Sequence, residues 1–250
     1  MNEKLAEHVA AHPYALIFAT LSGAHLYGFA SADSDFDLRG AHLLTLEEIV
    51  GLNESKETVT SMYEQEGLEI DLVTHDLKMF IRLMLKPNGL VLEQLYSPHV
   101  LYTSPAHDEL KALGRQCITR HHAHHYLGFS TSKWKHFVHE DVPKVKTLLY
   151  VYRALLTGIH LMRTGEIEAN LQHLNEEFQL AYLPDLLMRK RTGAEKGALG
   201  SADLEFHEGE YRRLTDMLIA ERDRSTLPTQ GGAHDGLNDL LVRTRLAQGR

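Results

Sequence analysis

Cysteine is almost missing from this chain. Cys117 is the only one, so neither an intramolecular disulfide nor a cysteine-rich zinc site is open to it. A membrane span needs about 18 consecutive apolar residues, and no run in the 250 residues approaches that. The opening stretch MNEKLAEHVAAHPYALIFATLSG also lacks the pattern of a secretory leader: Glu3 and Glu7 interrupt it, and Ala15 to Ala19 is too short an apolar core. Internal repeats and low-complexity tracts are absent as well. These absences argue against a membrane partner and point to the cytoplasm. What is present, 43% hydrophobic and 24% charged residues, describes a soluble globular chain long enough for one large domain or two small ones.

A strongly basic balance is the next thing missing. The net charge of −8, taken as a total, speaks against a nucleic-acid partner, but the total hides an asymmetry. Residues 1–100 carry 6 Lys and Arg against 15 Asp and Glu. Residues 101–250 carry 20 and 19. Within that second part, the segment Arg115–Arg163 holds 8 basic residues, only Glu140 and Asp141 as acids, and 7 of the 17 histidines. An acidic front half therefore precedes a locally basic segment that suits a phosphate-bearing partner.

The first hundred residues alternate in type. Asn2–His12 has Leu5 and Val9 on one helical face and is stopped by Pro13. Tyr14–Thr20 is rich in strand-favouring residues, and Ser22-Gly23 breaks it. Asp35-Phe-Asp-Leu-Arg-Gly40 alternates polar and apolar with the period of a strand. Leu43–Gly51 is a short helix or turn. Glu57–Tyr63 and Leu68–Thr74 flank Glu64–Gly67 and predict a hairpin, followed by a helix over Asp76–Leu85. Beyond Pro87 the pattern is helical: Gly89–Leu95, His107–Ile118, His121–His139, Pro143–Arg163, Leu204–Arg222 and Leu237–Leu246. Pro143 suits a first helical turn and Gly165 a helix stop. Lys190–Ser201, with Gly193, Gly197 and Gly200, is expected to be a mobile loop. The fold class expected is α+β: a mixed sheet with flanking helices over residues 1–100, then a helical unit over 101–250.

The most informative stretch runs from Leu21 to Gly40. On a strand, Asp35 and Asp37 project from one face while Phe36 and Leu38 pack on the other. Carboxylates that close repel one another unless positive charge lies between them, and hard oxygen donors suit Mg²⁺. Asp71, between Ile70 and Leu72 on a later strand, is a natural third ligand if the strands lie side by side; Glu69 shares its parity and competes. Three such carboxylates can hold two ions that clamp the attacking and leaving oxygens of a phosphoryl-type transfer. Gly23 leaves backbone N–H groups free to face phosphates. The plainer alternative is a solvated turn built from Asp33, Asp35 and Asp37.

Gly23-Ala24, followed by Asp35-x-Asp37 and Asp71, resembles the DNA polymerase β-type nucleotidyltransferase superfamily. That motif is a Gly-Ser turn, two acidic residues one apart and a third on a later strand. More narrowly, Ser22-Gly-Ala-His-Leu-Tyr-Gly28 with Ser34-Asp-Phe-Asp-Leu-Arg-Gly40 is similar to a nucleotidyltransferase group associated with RNA repair. The resemblance spans most of residues 14–165 and does not place the chain beyond about 170. It implies transfer of a nucleoside monophosphate from an NTP to an acceptor hydroxyl with Mg²⁺, two ions, Mn²⁺ serving as well. By position, Gly23 would contact the triphosphate and Asp35, Asp37 and Asp71 would hold metal. One departure stands out: the superfamily's phosphate-binding serine is Ala24 here. Losing one neutral hydrogen bond costs about 0.5–1.5 kcal/mol, which weakens nucleotide binding rather than removing the chemistry. Ser22, one residue earlier, is a candidate substitute.

Several other residues carry an expectation. Arg39 either steadies Asp35 or Asp37 by an ion pair or touches the triphosphate. His25 is placed to meet the nucleotide, and Tyr27 to pack. Lys146, Tyr150 and Arg153 share one helix face and, if aimed at the acidic cleft, would bind a triphosphate or an acceptor phosphate; the alternative is a solvated basic stripe. Trp134, between Lys133 and Lys135, has the composition of a base-stacking platform but is weighed against a core role. His121-His-Ala-His-His125 lacks the glutamate and cysteine partners of a zinc motif and is expected to form a polar helix face. The His-Asp pairs at 75–76, 107–108 and 234–235 do not make an all-helical metal phosphohydrolase, since the first ends a strand. The expected function is Mg²⁺-dependent nucleotidyl transfer from an NTP in a cleft that the helical unit closes over, with RNA, and a tRNA 3′ end in particular, as favoured acceptor. The alternatives are a protein or small-molecule acceptor, and a nucleotide- or RNA-binding module without catalysis.

Overall fold

The computed structural model describes residues 2–53, 55–65, 67–192 and 201–248. In chain order the elements are α1 (Asn2–Ala10), β1 (Ala15–Leu21), the one-turn α2 (Gly23–Leu26), β2 (Phe36–Leu43), α3 (Leu46–Val50), β3 (Thr58–Gln65), β4 (Leu68–Asp76), α4 (Leu77–Met84), α5 (Gly89–Leu95), β5 (Val100–Tyr102) and α6 (Pro105–Gly114). A 3₁₀ turn at Arg115–Cys117 leads to α7 (His122–Val138), α8 (Val145–Thr164), α9 (Leu171–Phe178), α10 (Leu183–Arg191), α11 (Ser201–Arg224) and α12 (His234–Gln248). Among the described residues, no helix is long and apolar enough to cross a membrane.

The chain forms two compact units, each assembled from separate stretches: residues 1–26, 35–118 and 230–250 in one, 27–34 and 119–229 in the other. The boundary expected at residue 100 is corrected accordingly. The reason is packing. Leu110 of α6, Cys117, and Leu237 and Leu240 of α12 share one core with Phe18, Leu77, Phe80 and Met84, so both helices belong with the sheet. Conversely, Tyr27 and Phe29 pack edge-on against Tyr150, and the carbonyls of Tyr27 and Gly28 accept from Leu171 N and Gln172 Nε2. The 27–34 stretch therefore belongs with the helices.

The sheet unit is a mixed five-stranded sheet in the order β3-β4-β2-β1-β5. Its pairs are antiparallel except β2 with β4, which run parallel. The hairpin expected around residue 66 forms, with pairing carried as far as Gln65 opposite Leu68. Period-two alternation places Phe36, Leu38, Ile70 and Leu72 against Leu5 and Val9 of α1, leaving the opposite residues of β2 and β4 on the other face. Local chemistry sets the helix starts: Thr45 and Glu48 cap α3 reciprocally, and the Asp76 carboxylate accepts from Lys78 N to start α4.

The helical unit centres on α8, buried along nearly its whole length and packed on α7 and α11. Gly165 stops it in the left-handed region, φ 76°, as expected of a glycine there. Pro143 lies outside the helix, before the N-cap Lys144, rather than in its first turn. Strand β5 and helices α9 and α10 were not expected. Both helices carry a readable signal, however: Asn170 caps α9 through Gln172 N, and Leu183, Leu186 and Leu187 of α10 are buried at helical spacing. Of the stretch expected to be a loop, Lys190 and Arg191 belong to α10 and Ser201 begins α11, while residues 193–200 lie outside the described residues.

Candidate functional site

The parallel pairing of β2 and β4 sets Asp37 directly opposite Asp71. The side chains of Asp37, Arg39 and Asp71 are 18%, 17% and 19% exposed, on the face away from α1. Two carboxylates held in register repel unless a cation joins them, and Arg39 supplies one. Its Nη2 donates to Asp37 Oδ1 at 2.6 Å and to Asp71 Oδ2 at 2.7 Å. Its Nη1 donates to the carbonyls of Asp71 at 2.6 Å and Leu38 at 3.0 Å. Of the two roles open to Arg39, the structure has the ion pair, with Asp37 as one expected partner and with Asp71, which was not expected, rather than Asp35. Asp35 precedes β2 and lines an open depression of about 300 Å³ with Met62, Tyr63, Glu64, Glu69, Ile70 and Asp71.

The turn after β1 is pressed against this platform. Ser22 N donates to Asp37 O at 2.8 Å. Gly23 has φ +60°, and a Cβ there would lie 1.7 Å from Asp37 Oδ2. Only glycine fits that position, for conformation and for space. Ser22 and Ala24 are buried. The His25 ring stacks on Phe36 at 4.5 Å and 16°, so its observed partner is the strand that carries Asp37.

As a donor set, Asp35, Asp37 and Asp71 fit Mg²⁺, which prefers hard carboxylate oxygens. As arranged, no group of three His, Cys, Asp or Glu among the described residues is disposed to hold an ion, and the Arg39 guanidinium bridges two of the three carboxylates. Glu64 was missed in the sequence although its signal was available. It lies directly opposite Glu69 in the hairpin, and Glu69 shares the parity of Asp71. Two larger cavities of this unit, about 650 and 500 Å³, lie away from the carboxylate platform, one along α3 and α12, the other beside α1 and β3.

In the helical unit, Lys146, Tyr150 and Arg153 run from solvent to interior: exposed, half-buried and 1% exposed. Arg153 therefore shares no exposed face with Lys146, neither as the phosphate-binding array expected of Lys146, Tyr150 and Arg153 nor as the alternative solvated stripe, because it lies inside an aromatic enclosure. Its Cζ sits 4.2 Å from the Tyr27 ring centroid and 5.0 Å from that of Phe129, and Tyr150 stacks edge-on against Tyr27. The histidine run is only partly a polar face. His122 is buried and takes part in hydrogen bonding with Thr119, while His125 stacks on Phe129. Burial pushes both imidazoles down to about 4. The Trp134 ring already lies flat against Tyr211, 4.7 Å away at 7°.

The model of the RNA repair pathway DNA polymerase beta family matches residues 1–243. An uncharacterized protein of Methanocaldococcus jannaschii, MJ0002, is 36% identical over 158 residues, which are 62% of this chain and 63% of that protein. The alignment thus spans less than two thirds of that relative's length. The uncharacterized protein YcgL of Bacillus subtilis is 26% identical over 242 residues, 92% of this chain and 89% of that one. Among solved structures, a nucleotidyltransferase-like protein from Exiguobacterium sibiricum covers 89% of this chain and 73% of its own, at 11% identity and a TM-score of 0.33.

Proposed function

The chain belongs to the RNA repair pathway DNA polymerase beta family, and from that premise we propose that it transfers a nucleoside monophosphate from an NTP to an acceptor hydroxyl, the α–β phosphoanhydride bond breaking and pyrophosphate leaving. RNA, and a tRNA 3′ end in particular, is the favoured acceptor. The observation that carries this reading is the register of Asp37 with Asp71 on adjacent parallel strands, with Gly23 packed against Asp37. Asp35, Asp37 and Asp71 would hold Mg²⁺, two ions with Mn²⁺ as a substitute, which when bound acidifies the acceptor hydroxyl and offsets charge on the triphosphate. Gly23 keeps the turn narrow enough for backbone to approach phosphate. Asp71, of which Arg39 engages Oδ2, accepts the hydroxyl proton. Lys135, Lys144 and Lys146, exposed on the helical unit, support a phosphate-bearing partner through long-range attraction.

One observation favours a second acceptor class. Glu64 and Glu69 line the depression beside Asp35 and Asp71, an acidic wall better matched to a cationic protein side chain or small molecule than to a phosphate backbone. Incubation with labelled NTPs, Mg²⁺ or Mn²⁺, and separate RNA, protein and small-molecule acceptors distinguishes these readings. The expected result is label on RNA, reduced at least about 10²–10³-fold in Asp37→Asn and Asp71→Asn, the scale of losing one preorganised electrostatic group. Label on another acceptor class selects the second reading. NTP binding without transfer to any acceptor selects a binding module, the reading that Ala24 motivates.

A further inference from the structure

Resting on the metal-dependent reading above, we infer that Arg39 is an internal counter-cation, holding the carboxylate oxygens a divalent ion needs and giving them up when that ion arrives. One guanidinium bonds to a carboxylate from each of the two strands, at 2.6 and 2.7 Å, and to a backbone carbonyl from each, at 3.0 and 2.6 Å. Charge-assisted contacts of this kind are the strong ones. Asp37 has little room to serve both cations. Its Oδ1 is under Arg39, and its Oδ2 faces Gly23, where even a Cβ would lie 1.7 Å away. An ion that takes Asp37 and Asp71 together therefore competes with Nη2 for the same oxygens.

Arginine does not lose its proton in proteins, so release depends on displacement and not on pH. The three side chains are 17–19% exposed, which keeps the bridge within reach of an incoming ion. The apparent affinity for the ion is then the intrinsic one reduced by the fraction of molecules in which Arg39 has let go. A purely structural Arg39, one that positions the carboxylates for metal, makes the opposite prediction: its removal weakens binding.

The test uses the full chain and Mn²⁺ as the probe, with affinity read by titration calorimetry and electron paramagnetic resonance, and unfolding followed in EDTA and in Mn²⁺. Arg39→Gln is expected to bind Mn²⁺ about 10- to 100-fold more tightly than wild type, matching an open fraction of order 1–10%. It should also unfold at lower temperature in EDTA and gain more from Mn²⁺. Arg39→Lys should fall between, because an ammonium keeps the charge without the fork. Adding Asp37→Asn to either background should abolish the gain. Equal or weaker Mn²⁺ binding by Arg39→Gln overturns the inference alone. Should that variant not fold, Arg39→Lys decides, and binding no tighter than wild type overturns it. No Mn²⁺ binding by wild type or variants at millimolar concentration overturns the metal reading itself, and this inference with it.

Discussion

Arg39 and Arg153, one in each compact unit, carry the same charge in opposite surroundings. Arg39 stands on a half-open sheet face with Asp37 and Asp71 as its partners. Arg153 is 1% exposed and lies over Tyr27 and Phe129. The first guanidinium is compensated by carboxylates that another cation can claim. The second lies against aromatic rings in the interior of its unit, where cation–π attraction is at its strongest. The pair teaches that a basic residue is informative about function only once its surroundings are known: an exchangeable partner allows a functional role, an aromatic enclosure makes it part of the core.

The sharpest way to break this contrast is to truncate the enclosed arginine. Arg153→Ala should destabilise the protein by about 3 kcal/mol, combining a desolvated cation–π contact with a large cavity. Arg163→Ala, which removes surface pairs to Glu177 and Glu221, should cost no more than about 1 kcal/mol. Chemical denaturation of both variants measures the difference, and equal losses would erase the distinction between enclosed and surface arginines.

A second, smaller effect concerns a buried histidine of the sheet unit. His42 is fully buried, its Nδ1 shares Thr74 Oγ1 with His12 Nε2, its ring stacks on Tyr14, and its Nε2 has no hydrogen-bond partner among the described residues. Burial, then the neighbouring His12, pushes it down to about 4. Between that value and an ordinary histidine near 6.5, the unfolded chain binds the proton more readily, so stability is intact above 6.5 and falls as pH drops through the window. His42→Phe should flatten the dependence by about 2 kcal/mol between pH 7 and pH 4, read from unfolding curves at stepped pH. The residual slope belongs to the other buried histidines whose values are lowered, His12, His75 and His107 in the same unit and His122, His125 and His207 in the helical unit, and to the paired carboxylates held below their ordinary values. An unchanged slope would mean that His42 is protonated without cost in the fold.

The smallest effect lies on the acidic side of the contrast. Glu64 and Glu69 are cross-strand partners of like charge, an arrangement that destabilises a sheet. Glu64→Lys should therefore stabilise by about 0.5 kcal/mol, visible as a modest rise in unfolding temperature. A loss of stability would show that the two carboxylates are compensated by something other than solvent.

Much of the local structure was legible because it rests on local rules. The alternation in Asp35–Gly40 places Asp37 and Arg39 on one face whatever lies beside the strand. Asp76, where a helix was expected to begin, and Gly165, where one was expected to stop, mark helix ends through bonds to backbone a few residues away. The Gly-x₁₁-Asp-x-Asp spacing made the family resemblance readable before any contact was known. Helices α9 and α10 escaped notice although their leucines keep helical spacing, since eight or nine residues give too few periods to stand out.

The sequence by itself determined that strands lie near residues 14–20, 35–40 and 68–74, that the second and third of these carry acids of fixed parity, and that helices dominate beyond Pro87. Only the tertiary structure decided that β4 lies parallel beside β2 with Asp71 at Asp37, that Arg39 bridges those two and that Arg153 is interior. It also decided that residues 27–34 fold with the helices and 230–250 with the sheet. The physical reason is range. Parity and capping are set within a turn or two of the chain, whereas register partners, counter-ions and burial depend on residues brought together from tens of positions to more than a hundred apart, where many pairings satisfy the same local rules and packing selects one.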